Sequence, residues 1–416
     1  MVCGSCIRDN RLAATLISQG RDIVLVPLYT PLHTDEPDVS QPRVYYGGVS
    51  VYLEQKSALF RHAPHFVDRI LDSPALLRGV GRLVGRTRPE DLGPLTVSVL
   101  KGEDGAQQKE LVKLIEGLRE IKPALVNLAN LMFVGLAREL KQTLGVPVLC
   151  TLSGEDIFLD RLAEPYRAEA FQLIRERGRN VDGYVAVTRY FARHAAVHFG
   201  LPAERVEQVV MGVRPRDFPE PAAPPDEPFT LGYLARICPE KGLARLAEAF
   251  ITLRRAGRNC RLRIAGYLGS ADRAYFEAVC DRLRQEAGED SFDYAGEISL
   301  EQKLEFLRSL HVLSVPTVYP EAKGLYILEA LASGVPVVQP DHGSFPELIA
   351  GTGGGLLYNP AQLNGLAEAL TRLLDDPSLR RGLGLKGRES VLRDFTDEAM
   401  AEQTWRIYER FVKPAA

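Results

Sequence analysis

An excess of charge of one sign is what this sequence lacks most plainly: 51 Lys and Arg stand against 54 Asp and Glu, so 51 − 54 = −3 over 416 residues. A chain so balanced is not built chiefly to neutralise a nucleic-acid backbone. Long apolar runs are lacking as well. Stretches such as 146–152 have strand length, far below the ~18 residues that a membrane span needs. The amino terminus, Met1-Val2-Cys3-Gly4-Ser5-Cys6-Ile7-Arg8, has neither a basic region nor a following apolar core. It does not read as a secretory signal, and a cytoplasmic location is the expectation. Cys3, Cys6, Cys150, Cys238, Cys260 and Cys280 are too scattered for a disulfide framework, which predicts free thiols in a reduced compartment. No Asp-x-Asp metal motif occurs, so nothing in the sequence calls for a divalent ion, and no cofactor is expected. What is present is ordinary for globular chains: 45% hydrophobic and 25% charged residues, 36 Gly and 27 Pro. At ~150 residues per domain, the length predicts two to three domains' worth of core.

Short β-branched runs alternate with longer amphipathic segments, the pattern of βα units around a parallel sheet. In the first half, helices are predicted over 9–19, 110–121 and 131–144, and strands over 22–28, 125–128, 146–152, 183–187 and 206–210. The 22–28 run reads as a buried strand. The texture changes where Pro215, Pro219, Pro221, Pro224, Pro225 and Pro228 crowd a segment that can be neither helix nor central strand. We read 1–214 as one lobe, 215–228 as a linker and 229–396 as a second lobe. In the second lobe, strands are predicted at 230–234, 261–265, 292–295, 311–315 and 335–339, and helices at 240–256, 273–287, 300–310 and 325–333. The tail reads as helical from 361 to 411, with Trp405 on an apolar face beside Tyr408 and Val412. A βαβ lobe should open on a strand, whereas this chain goes from a glycine loop straight to a helix. The expectation is that the first lobe's opening strand is missing, with Met1 an internal methionine of a longer reading frame.

The strongest local signal is Glu321-Ala322-Lys323-Gly324-Leu325-Tyr326-Ile327-Leu328-Glu329, followed by Ala330-Leu331-Ala332-Ser333-Gly334-Val335-Pro336-Val337-Val338. A strand ends near Pro316, a loop carries Glu321, Gly324 lets a ligand approach the backbone, and a helix starts with unpaired amides of the kind that hold anions. Two carboxylates at this spacing can grip two hydroxyl-bearing parts of one ligand. The plainer alternative is a βα corner with incidental acids. The stretch resembles the E-x7-E signature of the retaining glycosyltransferases of family 4, the glycosyl transferases group 1 of the GT-B fold.

Further motifs follow in family order across 229–411. Gly232-Tyr233-Leu234-Ala235-Arg236-Ile237-Cys238-Pro239-Glu240-Lys241-Gly242 is similar to the donor-phosphate motif, in which an Arg and a Lys hold a diphosphate; a solvated helix cap is the local alternative. Ile264-Ala265-Gly266, Tyr294-Ala295-Gly296-Glu297-Ile298, Gly343-Ser344-Phe345-Pro346-Glu347 and Gly355-Leu356-Leu357 match in turn, and the resemblance puts the backbone near Ile298 by the nucleobase. Lys323 stands where the family commonly has an aromatic, either a cation suited to an acidic sugar or extra phosphate, or a solvent-exposed lysine. In the first lobe the likeness is looser. Cys150-Thr151-Leu152-Ser153-Gly154-Glu155-Asp156 has Ser153 where relatives often have a His that touches the donor sugar. Glu155 and Asp156 are then acidic candidates toward the acceptor, or caps of the next helix. Val185-Ala186-Val187-Thr188-Arg189-Tyr190 resembles a strand ending in Ser or Thr, which makes Thr188 an acceptor-side candidate. Val209-Val210-Met211-Gly212-Val213 resembles a Pro-Asn-Gly-Val turn. Val44-Tyr45-Tyr46-Gly47-Gly48-Val49-Ser50-Val51-Tyr52-Leu53 is similar to an acceptor-side loop of glycogen synthase-like relatives and equally fits a hairpin around Gly47-Gly48. Cys3-Gly4-Ser5-Cys6 reads as the glycine loop that brings Gly4 near the donor, with a redox pair as the alternative. Arg78, Arg82 and Arg86, among Leu76, Leu77, Val80, Leu83 and Val84, predict a basic amphipathic segment over 76–88, a peripheral membrane contact or a solvated lid.

The resemblance implies an α/β protein of two Rossmann-like lobes facing across a cleft, with a last helix of about 397–416 returning to the first lobe. Its partners would be a nucleotide-diphosphate sugar and a hydroxyl acceptor, with no nucleic acid. Transfer would retain the anomeric configuration without a metal: Arg236, Lys241 and Glu321 act on the reacting groups. Gly4, Gly266, Ile298, Lys323, Gly324, Leu325 and Glu329 complete the donor site, with Glu329 on the ribose. Ser153, Glu155, Asp156 and Thr188 face the acceptor. A nucleotide-sugar epimerase and a catalytically silent carbohydrate-binding relative are the competing readings.

Overall fold

The computed structural model describes residues 4–29, 31, 32, 34–56, 89–220 and 227–412. Cys3, the amphipathic 76–88 segment and the middle of the proline-rich 215–228 stretch lie outside the described residues. The chain divides into two compact units, one built from Met211–Met400 and the other from Ser5–Val210 together with Ala401–Ala416.

The Met211–Met400 unit carries a six-stranded, all-parallel sheet made of β7 (Phe229–Leu234), β8 (Cys260–Ala265), β9 (Phe292–Tyr294), β10 (Val312–Leu313), β11 (Val337–Pro340) and β12 (Gly355–Tyr358). Every residue of β7 is buried, as expected of a central strand covered by helices on both faces. The spatial order β9-β8-β7-β10-β11-β12 is 3-2-1-4-5-6 by appearance in this unit, the doubly wound arrangement that binds dinucleotides at its switch point. That point lies between β7 and β10, which pair Leu231 with Val312. Leu246, Phe250, Leu262, Ile264, Leu283, Val312 and Leu370 are among the core residues that fasten the surrounding helices to the sheet. The helix predicted over 273–287 is found as Arg273–Ala287. Leu300–Arg308 opens with a reciprocal Ser299/Gln302 capping box. The single helical tail expected over 361–411 is instead three helices, Gly365–Asp375, Pro377–Asp394 and Asp397–Phe411. The first break falls where Asp376 accepts the Leu379 N–H and Pro377 occupies the first turn, a combination that starts a helix anew.

The other unit is built on a four-stranded parallel sheet in the order β3 (Val126–Leu128), β4 (Val148–Leu152), β5 (Gly183–Ala186), β6 (Val206–Gln208). Two expectations fail here. The 22–28 run is no buried strand: only β1, Leu28–Tyr29, enters a ladder, and the residues before it are mostly half-buried or exposed. Its partner is β2, Tyr45–Gly47, which runs parallel to it and passes directly into the helix Gly48–Lys56, so neither an open loop nor a hairpin forms at Gly47-Gly48. A parallel pair needs a long connection rather than a tight turn, and 30–44 supplies it. The last helix completes this unit: Ala401, Thr404 and Ile407 are buried, Gln403 Oε1 accepts the Val210 N–H at 3.1 Å, and the Phe411 ring lies where a Cβ on Gly183 would stand 2.8 Å away. Like Tyr408, Trp405 is half-buried. Its ring carries the Arg21 guanidinium at 4.6 Å, and its Nε1–H donates to Glu409 at 2.6 Å. Among the described residues, Cys150, Cys238, Cys260 and Cys280 are free thiols, and no helix is long and apolar enough to cross a membrane.

Candidate functional site

Parallel α/β sheets bind ligands outside the carboxyl ends of their strands, at the switch point, and there the connections after β7 and β10 meet. Gly242 makes the meeting possible: at φ +75° a Cβ would stand 1.9 Å from the Pro316 carbonyl oxygen. The Val318 N–H donates to the Glu240 carbonyl at 2.9 Å. This apposition sets Lys241, from the first connection, against Glu321, from the second, as a hydrogen-bonded ion pair between Nζ and Oε2. Tyr319 donates its hydroxyl to the same oxygen at 3.2 Å. The Lys241 ammonium faces the rings of Tyr319 at 5.2 Å and Tyr326 at 5.8 Å, close enough for cation–π attraction. From behind, the Ser344 N–H donates to the Glu321 carbonyl at 2.8 Å.

Glu321 is only 5% exposed. Burial pushes its carboxyl up, but the Lys241 charge and hydrogen bond, together with the Lys323 charge and backbone N–H, bring it below the ordinary carboxylate value. It is therefore ionised at neutral pH. Burial first, and the Glu321 charge second, hold the Tyr319 and Tyr326 hydroxyls well above the ordinary range, so both stay neutral. Arg236 is exposed, its Nη2 3.4 Å from Cys238 Sγ. Burial raises that thiol even with the guanidinium beside it. Gly266, at φ +142°, admits the close approach of β8 to β7: a Cβ there would sit 1.8 Å from the Ala235 carbonyl oxygen. Ile298 is half-buried in the connection after β9, Gly324 opens the helix Leu325–Ala332, and Lys323 is half-buried rather than solvent-exposed.

The structure thus gathers Arg236, Lys241, Gly266, Ile298, Glu321, Lys323, Gly324 and Leu325 on connections leaving the carboxyl ends of adjacent strands. Glu329 lies deeper in its helix, 4% exposed, with Oε1 accepting from Lys303 Nζ at 2.7 Å. Sequence reasoning passed over Tyr319, Tyr326 and Lys303. For Lys303 a signal existed: it shares the buried face of its helix with Phe306 and Leu307, and a lysine on an apolar face asks for a buried partner.

In the other unit, Ser153, Glu155 and Asp156 follow β4 and Thr188 follows β5. Both Glu155 carboxylate oxygens accept the Ser153 N–H at 3.0 Å, and the Ser153 hydroxyl donates to Oε1 at 3.2 Å, so this carboxylate is turned onto its own loop. Asp156 Oδ2 pairs with His194 Nε2 at 3.0 Å, while its Oδ1 is buried without a hydrogen-bond partner. The Asp156 hydrogen bond raises His194 above the ordinary imidazole value, against the opposing effect of burial. Tyr190 stacks on His194 at 5.6 Å; His198 also stacks on His194, at 5.0 Å, and pairs with Asp160 at 2.9 Å. Thr188 is 1% exposed and accepts the Phe191 N–H at 3.1 Å, which makes it the N-cap of Arg189–Phe199. Gly4 is the exposed first residue of the helix Gly4–Ser18, with no atom within 4 Å of where its Cβ would be.

A doubly wound six-stranded unit with a cation–carboxylate pair at its switch point, joined in one chain to a second parallel α/β unit, defines a glycosyltransferase-type fold of the GT-B class. The chain belongs to family 4 of these glycosyltransferases: residues 215–390 match glycosyl transferases group 1 and residues 46–217 match glycosyltransferase family 4. It is 27% identical over 254 residues to a GDP-mannose-dependent monoacylated alpha-(1-6)-phosphatidylinositol monomannoside mannosyltransferase of Corynebacterium glutamicum, covering 57% of this chain and 64% of that one. It is 28% identical over 240 residues to an MMP alpha-(1->4)-mannosyltransferase of Mycolicibacterium hassiacum, covering 57% and 56%. The matched stretch spans less than two thirds of either relative. Among solved structures, sucrose-phosphate synthase of Thermosynechococcus elongatus superposes with a TM-score of 0.62 at 22% identity over 73% of this chain and 78% of that one. Anabaena HepE in complex with UDP gives 0.61 at 15% identity over 73% and 82%. At these identities the likeness is one of fold.

Proposed function

We propose that the chain transfers a sugar from a nucleotide-diphosphate sugar to a hydroxyl acceptor, with retention of anomeric configuration and without a metal ion. The observation that carries this reading is the Lys241–Glu321 pair at the β7/β10 switch point. A cation beside the crevice suits a leaving diphosphate, and an ionised carboxylate fixed by two donors suits the hydroxyls of a sugar. Arg236, exposed at the end of β7, supplies a planar fork of donors to the same phosphates. In retention, the leaving phosphate itself takes the acceptor proton on the face from which it departs, so no side chain need serve as base. Glu329 is assigned to the ribose and the backbone around Ile298 to the base. Glu155 and Asp156 of the other unit are assigned to acceptor recognition. The same reading puts the reaction in the cytoplasm. The family's match and the mannosyltransferase relatives support the donor class and make GDP-mannose the first donor to try; UDP-glucose follows, since HepE is solved in complex with it.

The test is a transfer assay with each donor over a panel of glycan, lipid and small hydroxyl acceptors, the product's anomeric configuration being read by NMR. Retained configuration with added chelator supports the reading. Inversion, or product formed from donor alone without an acceptor, overturns it.

A further inference from the structure

The donor-side unit holds a second buried ion pair. Lys303 Nζ donates to Glu329 Oε1 at 2.7 Å, and the two side chains are 8% and 6% exposed. Withdrawing both charges from water is expensive, and apolar residues of similar volume often do as well or better for stability. Stability alone is thus a weak reason for this pair. A carboxylate has two oxygens and about four lone-pair positions. An ammonium fixed on Oε1 sets the plane of the group and leaves Oε2 to accept from elsewhere. The helix that carries Glu329, Leu325–Ala332, is the one that opens at the Glu321 loop, so the clamped carboxylate belongs to the donor side.

We propose that Lys303 is a positioning residue for nucleotide recognition: by holding Glu329 Oε1 it presents Oε2 to the ribose hydroxyls of a bound nucleoside diphosphate. Preference for ribose over 2′-deoxyribose therefore depends on Lys303. The inference rests on the donor-site assignment above.

The test is calorimetric titration of the full chain with UDP, GDP and their 2′-deoxy counterparts, for the wild type and for Lys303→Met, Lys303→Gln and Lys303→Arg. The wild type is expected to prefer the ribose form by about tenfold or more, the worth of a hydrogen bond to a charged group. In Lys303→Met that preference collapses to near parity while affinity for the deoxy form holds. Lys303→Arg, which keeps a cation, restores most of it. A purely structural role would lower the melting temperature and weaken both ligands alike. Should Lys303→Met not fold, Lys303→Gln, whose neutral amide ends one bond short of the lysine's ammonium and so does not hold Glu329 Oε1, carries the same comparison. An unchanged preference in the folded variant overturns the proposal and leaves the donor site standing, as does a wild type that binds both forms equally. A wild type that binds neither UDP nor GDP overturns the donor-site assignment, and the proposal with it.

Discussion

Glu321 Oε2 receives two donors, the Lys241 ammonium and the Tyr319 hydroxyl, and the consequences of removing each differ in size. Lys241→Ala leaves a buried carboxylate without its cation, and Glu321→Gln leaves the cation without its anion. A contact to a charged group is worth about 1.5–3 kcal/mol, so each variant should lose about 10- to 150-fold or more in transfer rate. Both should keep a native circular dichroism spectrum, and near-native turnover by either would remove the site assignment. Tyr319→Phe deletes only a neutral donor to an oxygen that Lys241 still holds. Its expected effect is about 0.5–1.5 kcal/mol, a two- to tenfold fall in kcat/KM at unchanged secondary structure, measured by initial rates. Lys241 and Glu321 were legible because a short motif contains each of them. Tyr319, also close to Glu321 in sequence, was not, because only the side-chain direction shows that its hydroxyl returns to that carboxylate.

Elements meet in this protein through a few tight approaches, and Gly242 is the one on which the site depends. Gly242→Ala must place a methyl 1.9 Å from the Pro316 carbonyl oxygen at a φ of +75°. Backbone strain of this kind costs about 1–3 kcal/mol. The β7 and β10 connections should move apart, lowering the urea midpoint and the transfer rate together. In the other unit, the helix Asp156–Asp160 is tied to Arg189–Phe199 by Asp156–His194 and Asp160–His198. Because the folded His194 value lies above the ordinary 6.5, its stabilisation is complete below that pH and fades as pH rises through the raised value. The melting temperature of the wild type minus that of His194→Gln should therefore be larger at about pH 5.5 than at about pH 8.5, modestly so for a half-exposed pair. A difference independent of pH would contradict the assigned protonation. Strong local patterns survive folding at this scale: the 273–287 periodicity becomes Arg273–Ala287. The 22–28 run does not survive as a strand, since apolarity is local but a ladder needs a neighbour, and the partner of β1 arrives from Tyr45–Gly47.

For the molecule as a whole, the tail and the donor offer two tests. Ala401, Thr404 and Ile407 are buried in the Ser5–Val210 unit at 0%, 1% and 5% exposure. Deleting 401–416 should destabilise that unit selectively, seen as faster proteolysis within 5–210 while 211–400 persists; uniform resistance would show that the helix contributes nothing to it. A thermal-shift screen with UDP, GDP and ADP measures donor binding directly, since a ligand at 100 times its Kd stabilises by about 2.7 kcal/mol. A shift with one base and not the others identifies the donor series.

By itself the sequence determined the alternation of strands and helices, the proline-rich stretch before β7, and the pairing of an Arg and a Lys after one strand with a Glu and a Gly after another. These depend on local periodicity, on turn chemistry and on spacings of a few residues, all of which are short-range properties. The tertiary structure decided which charges meet. Lys241 reaches Glu321 across 80 residues and Lys303 reaches Glu329 across 26. It also turned Glu155 onto Ser153, made Thr188 a helix cap, and clamped Glu329 Oε1 with Lys303. A side chain's partner is set by the packing of elements distant in the chain, and only the folded arrangement, which must match every buried charge with a counter-charge or a donor, settles that partner.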